Sequence, residues 1–207
     1  MGVIRSIADK TGRASADLQD FQARFRDRLE ALSRVQSLLS RLDEHDRVTF
    51  DELVAAEMSA MDGNAERVRT SGPMGIRLRS SMVQTLALAL HELATNAVKY
   101  GAFAQPDGRL VINWTFEKHG PNDRPWLHVD WRESGVEVPP DAKQRGAGQG
   151  RELIERALPY QLGATTTFEL GPDGVHCTMS FPVSETNLPS EVAHDCSFVA
   201  QLPSSGR

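Results

Sequence analysis

The run His91-Glu92-Leu93-Ala94-Thr95-Asn96-Ala97-Val98-Lys99-Tyr100 sets polar groups among apolar ones in a pattern that can do chemistry. On a helix, Glu92, Asn96 and Lys99 fall at i, i+4 and i+7 and share one face. A carboxylate and an amide oxygen side by side suit a hard, hydrated cation such as Mg²⁺, and a lysine one turn on suits the phosphates that accompany such an ion. A merely solvated polar stripe is the commonplace alternative for any surface helix. The six histidines show no HxH or HxxxH spacing, and the two cysteines, Cys177 and Cys196, are too few for a disulfide framework or a zinc cluster. Reduced, structural cysteines and no transition metal are expected.

The polar face needs a rigid helix under it. Apolar Met82, Leu86, Leu90, Leu93, Ala94 and Ala97 recur at helical spacing, predicting a helix over 81–99 that Gly101 would cap. Upstream, Phe21, Phe25, Leu29, Leu32, Val35 and Leu39 mark an amphipathic helix over 20–42, with Arg24, Arg26, Asp27, Arg28 and Glu30 on its other faces. Val3, Ile4 and Ile7 begin a shorter helix that 11–15, with Gly12, would break. Such a hairpin has too little apolar surface to stand alone, so its stripe is expected to pack on another helix pair or a second chain. Residues 49–61 read as a further helix, and 63–75, with four breakers, as short strands and loops.

After Asp107-Gly108 the pattern changes to strands: 109–117, 126–132, 165–170 and 175–183, the last two joined through Asp173-Gly174. A glycine cluster at 146–150 leads into a helix with Leu153, Ile154, Ala157 and Leu158. Helices on one face of a mixed, mainly antiparallel sheet fit this order, because the hairpin strands leave no room for crossovers. The fold class is α+β: a helical hairpin (1–62) before a two-layer sandwich (63–183). The polar stretch 184–207 is expected to be disordered.

Bulk composition agrees with a soluble chain of at most two modules. The 207 residues are 40% apolar and 25% charged, and 23 basic against 28 acidic residues leave a net charge of −5, which gathers neither nucleic acid nor an anionic membrane. No apolar run is long enough to span a membrane and no signal-peptide pattern opens the chain, which predicts a cytoplasmic protein.

Residues 91–100 resemble the N-box of the GHKL ATPases, and His91-Glu92-Leu93 with Thr95-Asn96 and Lys99-Tyr100-Gly101 resembles the subfamily called HWE histidine kinases. The subfamily's second hallmark, Trp-x-Glu, is matched by Trp131-Arg132-Glu133. Gly146-Ala147-Gly148-Gln149-Gly150 is similar to a G2-box, although closer to the Gly-x-Gly-x-Gly of other histidine kinases, and Val136-Glu137 depart from the Gly-Gly-Pro that usually follows. The resemblance implies a Bergerat-type fold that binds ATP and Mg²⁺. Asn96 would coordinate Mg²⁺, with Glu92 near it through water and serving as base or polariser for phosphoryl transfer to histidine, and His91 orienting Glu92. Glu133 and Gly135 would meet adenine. Lys99, Tyr100, Gly146, Gly148 and Gly150 would meet the phosphates, the glycines by letting backbone N–H groups approach, with Arg145 and Arg151 flanking them.

In that family the phospho-accepting histidine precedes a segment like 3–39, so the acceptor motif is expected to be missing from this sequence, either because the sequence is a fragment or because the protein is an acceptor-less relative. The implied partners are a response regulator and a second copy of the chain, joined through the N-terminal helices. An acceptor-less ATP-binding adaptor and an anti-sigma-like serine kinase are the alternatives.

Overall fold

A computed structural model of the protein describes residues 2–40, 47–61, 63–138 and 149–183. The elements run α1 (Gly2–Ala14), α2 (Leu18–Ser40), α3 (Phe50–Ser59), β1 (Val68–Ser71), α4 (Ser80–Lys99), β2 (Arg109–Glu117), β3 (Trp126–Ser134), α5 (Gln149–Glu152), a π-helical stretch (Leu153–Ala157), α6 (Leu158–Leu162), β4 (Thr165–Leu170) and β5 (Val175–Pro182). The strands form one sheet in the order β1-β2-β3-β5-β4, with β1 parallel to β2 and every other pairing antiparallel. This is the mixed two-layer sandwich that the strand spacing predicts. No described helix is long and apolar enough to cross a membrane.

Strand alternation makes the sheet one-sided. Leu110, Ile112 and Trp114 of β2, Leu127, Val129 and Trp131 of β3, and Cys177, Met179 and Phe181 of β5 all point into the helical layer and are buried. Register stacks them in rows: Trp131 stands between Ile112 and Cys177. From the helices, Met82, Leu86, Leu90 and Leu93 of α4 and Phe50, Leu53 and Val54 of α3 enter the same core. Phe50 meets Trp114 edge-on at 5.4 Å and tilts onto Phe181 at 6.5 Å. Cys177 is fully buried, and that burial pushes its thiol pKa up to about 12, so it stays protonated.

Local chemistry sets the helix ends. Thr49 opens α3 with a capping box, its hydroxyl accepting from Glu52 N while the Glu52 carboxylate accepts from Thr49 N at 2.8 Å. The last helical run stays continuous although Pro159 has no N–H and would clash with the carbonyl one turn back; the π-turn before it, in which Leu158 N bonds Leu153 O, opens that turn. Gly163 ends the run in the left-handed region at φ 65°.

Two expectations need correction. The break expected over 11–15 comes only at its far end: α1 passes through Thr11 and Gly12, where the Thr11 hydroxyl donates to Ile7 O at 2.6 Å within the helix and is itself buried, and ends at Ala14. Gly101 does not cap α4 as a left-handed residue; Tyr100 is the C-cap, and Gly101 sits at φ −109°.

The hairpin also packs differently from its apolar stripe. Ala31 and Val35 are the buried residues of α2 that, with Arg28, face the rest of the chain, while Phe21 and Phe25 stack on each other at 5.4 Å and stay half-buried. Helix α2 lies against α1, α3 and α4.

Two glycines separate crowding from backbone strain. A Cβ on Gly108 would sit 1.8 Å from Ala102 O, whereas one on Gly163 would meet nothing within 4 Å and pay only for φ 65°. Gly108→Ala is expected to cost about 1–3 kcal/mol and Gly163→Ala about 1 kcal/mol, ranked by urea denaturation midpoints at constant slope. The reverse ranking would show that the loop at 102–108 yields freely.

Candidate functional site: one helix, a covered cleft and a buried carboxylate

The two faces of α4 have different partners. Its apolar face lies on the sheet, and its polar face lines a cleft with α2: Arg24, Asp27 and Arg28 on one side, His91, Glu92, Thr95, Asn96, Lys99 and Tyr100 on the other. Glu92, Asn96, Lys99 and Tyr100, singled out from spacing and resemblance, therefore meet in one place. The cleft is small, about 40 Å³. Arg28 Nε donates to Glu92 Oε1 at 2.6 Å with both side chains largely shielded, and Lys99 Nζ lies 3.7 Å from Asp27 Oδ2 in a far more exposed pair. The shielded pair dominates, since exposed pairs contribute at most about 1 kcal/mol.

His91 turns away from this pair. Its Nδ1 lies 3.2 Å from Arg34 Nη2 and 3.4 Å from Glu57 Oε2. Arg34 also donates to Glu57 Oε2 at 2.9 Å. Glu57 is 1% exposed, and its Oε1 and the Arg34 Nε are buried with no hydrogen-bond partner among the described residues. His91 thus touches α2 and α3 in a cluster tying three helices together.

At the C-terminal end of α4, Glu133 reaches in from β3. It is 4% exposed; Oε2 accepts from Ala102 N at 2.9 Å and Oε1 accepts from Trp131 Nε1 at 3.2 Å. Trp131 and Glu133, two apart on a strand, point to the same side, so the indole both fills the core and holds the carboxylate. Gly101 is what admits it: a Cβ there would lie 2.0 Å from Glu133 Oε2. Burial raises the Glu133 pKa above its ordinary 4.5, against the opposing pull of the two hydrogen bonds.

Beyond Glu133 the chain turns at Gly135, in the left-handed region at φ 70°, with its N–H on Asp173 Oδ1 at 2.9 Å. Val136, at the departure from the family pattern, is buried and bonds Asp173 O. Gly146, Gly148 and Arg145 lie outside the described residues, and Gly150 is in the first turn of α5. Arg151 pairs with Glu155 at 2.8 Å and lies over the Phe168 ring.

With this geometry in hand, the comparisons converge. A family profile described as HWE histidine kinase matches residues 1–74. A blue-light-activated histidine kinase of Brucella anthropi is 30% identical over 191 residues, which are 91% of this chain and 38% of that protein. Blue-light-activated histidine kinase 1 of Erythrobacter litoralis is 33% identical over 187 residues, 88% of this chain and 49% of that protein. Residues 1–74 thus match the HWE histidine kinase family, and relatives named histidine kinases align along most of the chain. It spans less than half the length of these curated relatives. Two solved structures of an Erythrobacter litoralis blue-light-activated histidine kinase share its fold. The histidine kinase domain matches with a TM-score of 0.53 at 16% identity, over 89% of this chain and 94% of that one; the longer chain matches at 0.57 and 17%, over 89% and 65%.

In this chain, the residues missed by sequence reasoning are Arg28, Arg34 and Glu57. A signal for Arg28 was present: Arg24, Arg28, Ala31 and Val35 follow each other at i, i+4, i+7 and i+11, so the arginines lie in line with small and apolar residues that face inward.

The raised Glu133 pKa has a testable sign. Between the unfolded value near 4.5 and the higher folded value, the folded state binds the extra proton, so stability falls as pH rises through that window and then levels off. Glu133→Gln, which cannot ionise, is expected to remove that fall, read from urea midpoints between about pH 4 and about pH 8. An unchanged pH slope would place the titration elsewhere.

Proposed function

We propose that this chain is the kinase core of a two-component sensor: it binds ATP with Mg²⁺, transfers the γ-phosphoryl group to a histidine, and passes it to a cytoplasmic response regulator. Residues 63–183 are the ATP-binding part and residues 1–62 a dimerisation and phosphotransfer-like part. The observation that carries the reading is that one helix bears both ends of a nucleotide site. Glu92, Asn96 and Lys99 share its polar face, and the buried Glu133 carboxylate stands at its C-terminal end beside Gly101.

The donor set fits the groups it would hold. An amide and a carboxylate one turn apart present oxygens to a hard cation, and a carboxylate shielded from water accepts strongly from an exocyclic amine. Bound Mg²⁺ supplies neutralisation of phosphate charge. Asn96 would hold it directly and Glu92 through water; Glu92 would also take the proton from the acceptor imidazole. Glu133 and Gly135 would frame the adenine, Glu133 kept in place by Trp131 and Ala102. Lys99, Tyr100 and the glycines at 146, 148 and 150 would meet the phosphates. His91, tied to Arg34 and Glu57, would fix the turn of α4 that carries Glu92.

Thermal unfolding with ATP and Mg²⁺ tests this. At a ligand concentration about a hundredfold above Kd, wild type is expected to gain about 2.7 kcal/mol, and Asn96→Ala to lose most of that gain. An equal response in both would remove Asn96 from the metal site, and no response in wild type would sink the nucleotide reading. Supplied with an acceptor-histidine helix, the chain is expected to give acid-labile phosphate; acid-stable label would point to serine or threonine instead.

A further inference from the structure

Helix α2 does more than rest on α4: it places a cation on the carboxylate assigned to the metal and acceptor. Arg28 is 8% exposed and aimed from both ends, Nε on Glu92 Oε1 at 2.6 Å and Nη1 on Thr11 Oγ1 at 2.7 Å. Thr11 is fully buried and anchored to Ile7 O, so α1 presets the guanidinium. One residue before Arg28, Asp27 faces Lys99. Helix α1 also lies against α5, the helix that follows the glycine loop. What is left between α2 and α4 is about 40 Å³, whereas a pocket for a ligand of nucleotide size needs roughly 300 Å³ or more.

We propose that the α1–α2 hairpin is an internal competitor for the nucleotide site, with Arg28 standing where the cation would stand and Asp27 where a phosphate would stand. The inference rests on the nucleotide reading above. Glu92 serves either Arg28 or the ion, and Lys99 either Asp27 or a phosphate, so hairpin docking and ATP–Mg²⁺ binding exclude each other. Linkage makes the effect reciprocal: nucleotide loosens the hairpin, and whatever draws the hairpin away raises nucleotide affinity by the same factor. The docked pose is displaceable because its second contact is incomplete. The Arg34–Glu57–His91 cluster buries Glu57 Oε1 and Arg34 Nε without partners among the described residues, which weakens the closed state relative to one fully satisfied.

Calorimetric titration of the full chain with ATP and Mg²⁺ tests this with Arg28→Ala and Thr11→Val, neither of which is itself one of the assigned nucleotide ligands. Arg28→Ala is expected to bind about tenfold tighter than wild type and Thr11→Val to fall between them. Amide exchange on wild type needs no variant: saturating ATP–Mg²⁺ is expected to speed exchange at 18–30 while slowing it in α4. Equal or weaker binding by Arg28→Ala overturns the proposal, weaker binding making Arg28 a phosphate ligand. Unchanged exchange at 18–30 with nucleotide bound overturns it whatever the variants do. Failure of wild type and both variants to bind removes the nucleotide reading itself, and the competitor with it.

Discussion

Helix α4 is covered on both faces, and the rest of the structure follows from how each cover is made. Met82, Leu86, Leu90 and Leu93 lose their water to the inner face of the sheet, a non-directional contribution of about 1.5–3 kcal/mol for each large side chain buried. His91, Glu92 and Lys99 face α2, where polar groups removed from water must find partners or cost free energy. Arg28, Arg34, Asp27 and Glu57 are those partners. A helix so placed cannot rotate without breaking one set of contacts, which is what fixes Glu92 and Asn96 in space.

The same rigidity brings in Glu133. A carboxylate at 4% exposure survives because Ala102 N and Trp131 Nε1 both donate to it and because Gly101 leaves it room. Trp131 and Glu133 therefore form one physical unit. The aromatic ring belongs to the core by size, the indole N–H needs a partner once buried, and the carboxylate two residues on is that partner. A Trp-x-Glu pair at the end of a buried strand is a way to carry a charged group to the rim of an apolar core.

The remaining face of the sheet shows the contrast. His128, Asp130, Arg132 and His176 stand there in cross-strand contact, with His176 Nε2 3.2 Å from Asp130 Oδ2 and His128 Nδ1 2.9 Å from Ser180 Oγ. These pairs are half-exposed and contribute little individually, and their alternation with Leu127, Val129 and Trp131 is what makes the strand amphipathic.

Period and punctuation were enough to determine the sandwich, the strands at 109–117 and 165–170, and the helix of His91, because hydrophobic alternation and helical stepping are local and α4 and β2 obey them throughout. Residue types at 91–100 and 131–133 were enough to mark the chemistry. The tertiary structure alone decided what covers that chemistry. Arg28, by its charge, reads as a solvated residue until α2 is laid on α4; Gly101 reads as a helix cap until Glu133 arrives from a distant strand to bond Ala102 N, 31 residues away. Both are long-range facts, since burial and pairing depend on which elements meet, and one-dimensional spacing holds that information only as far as the face a residue occupies.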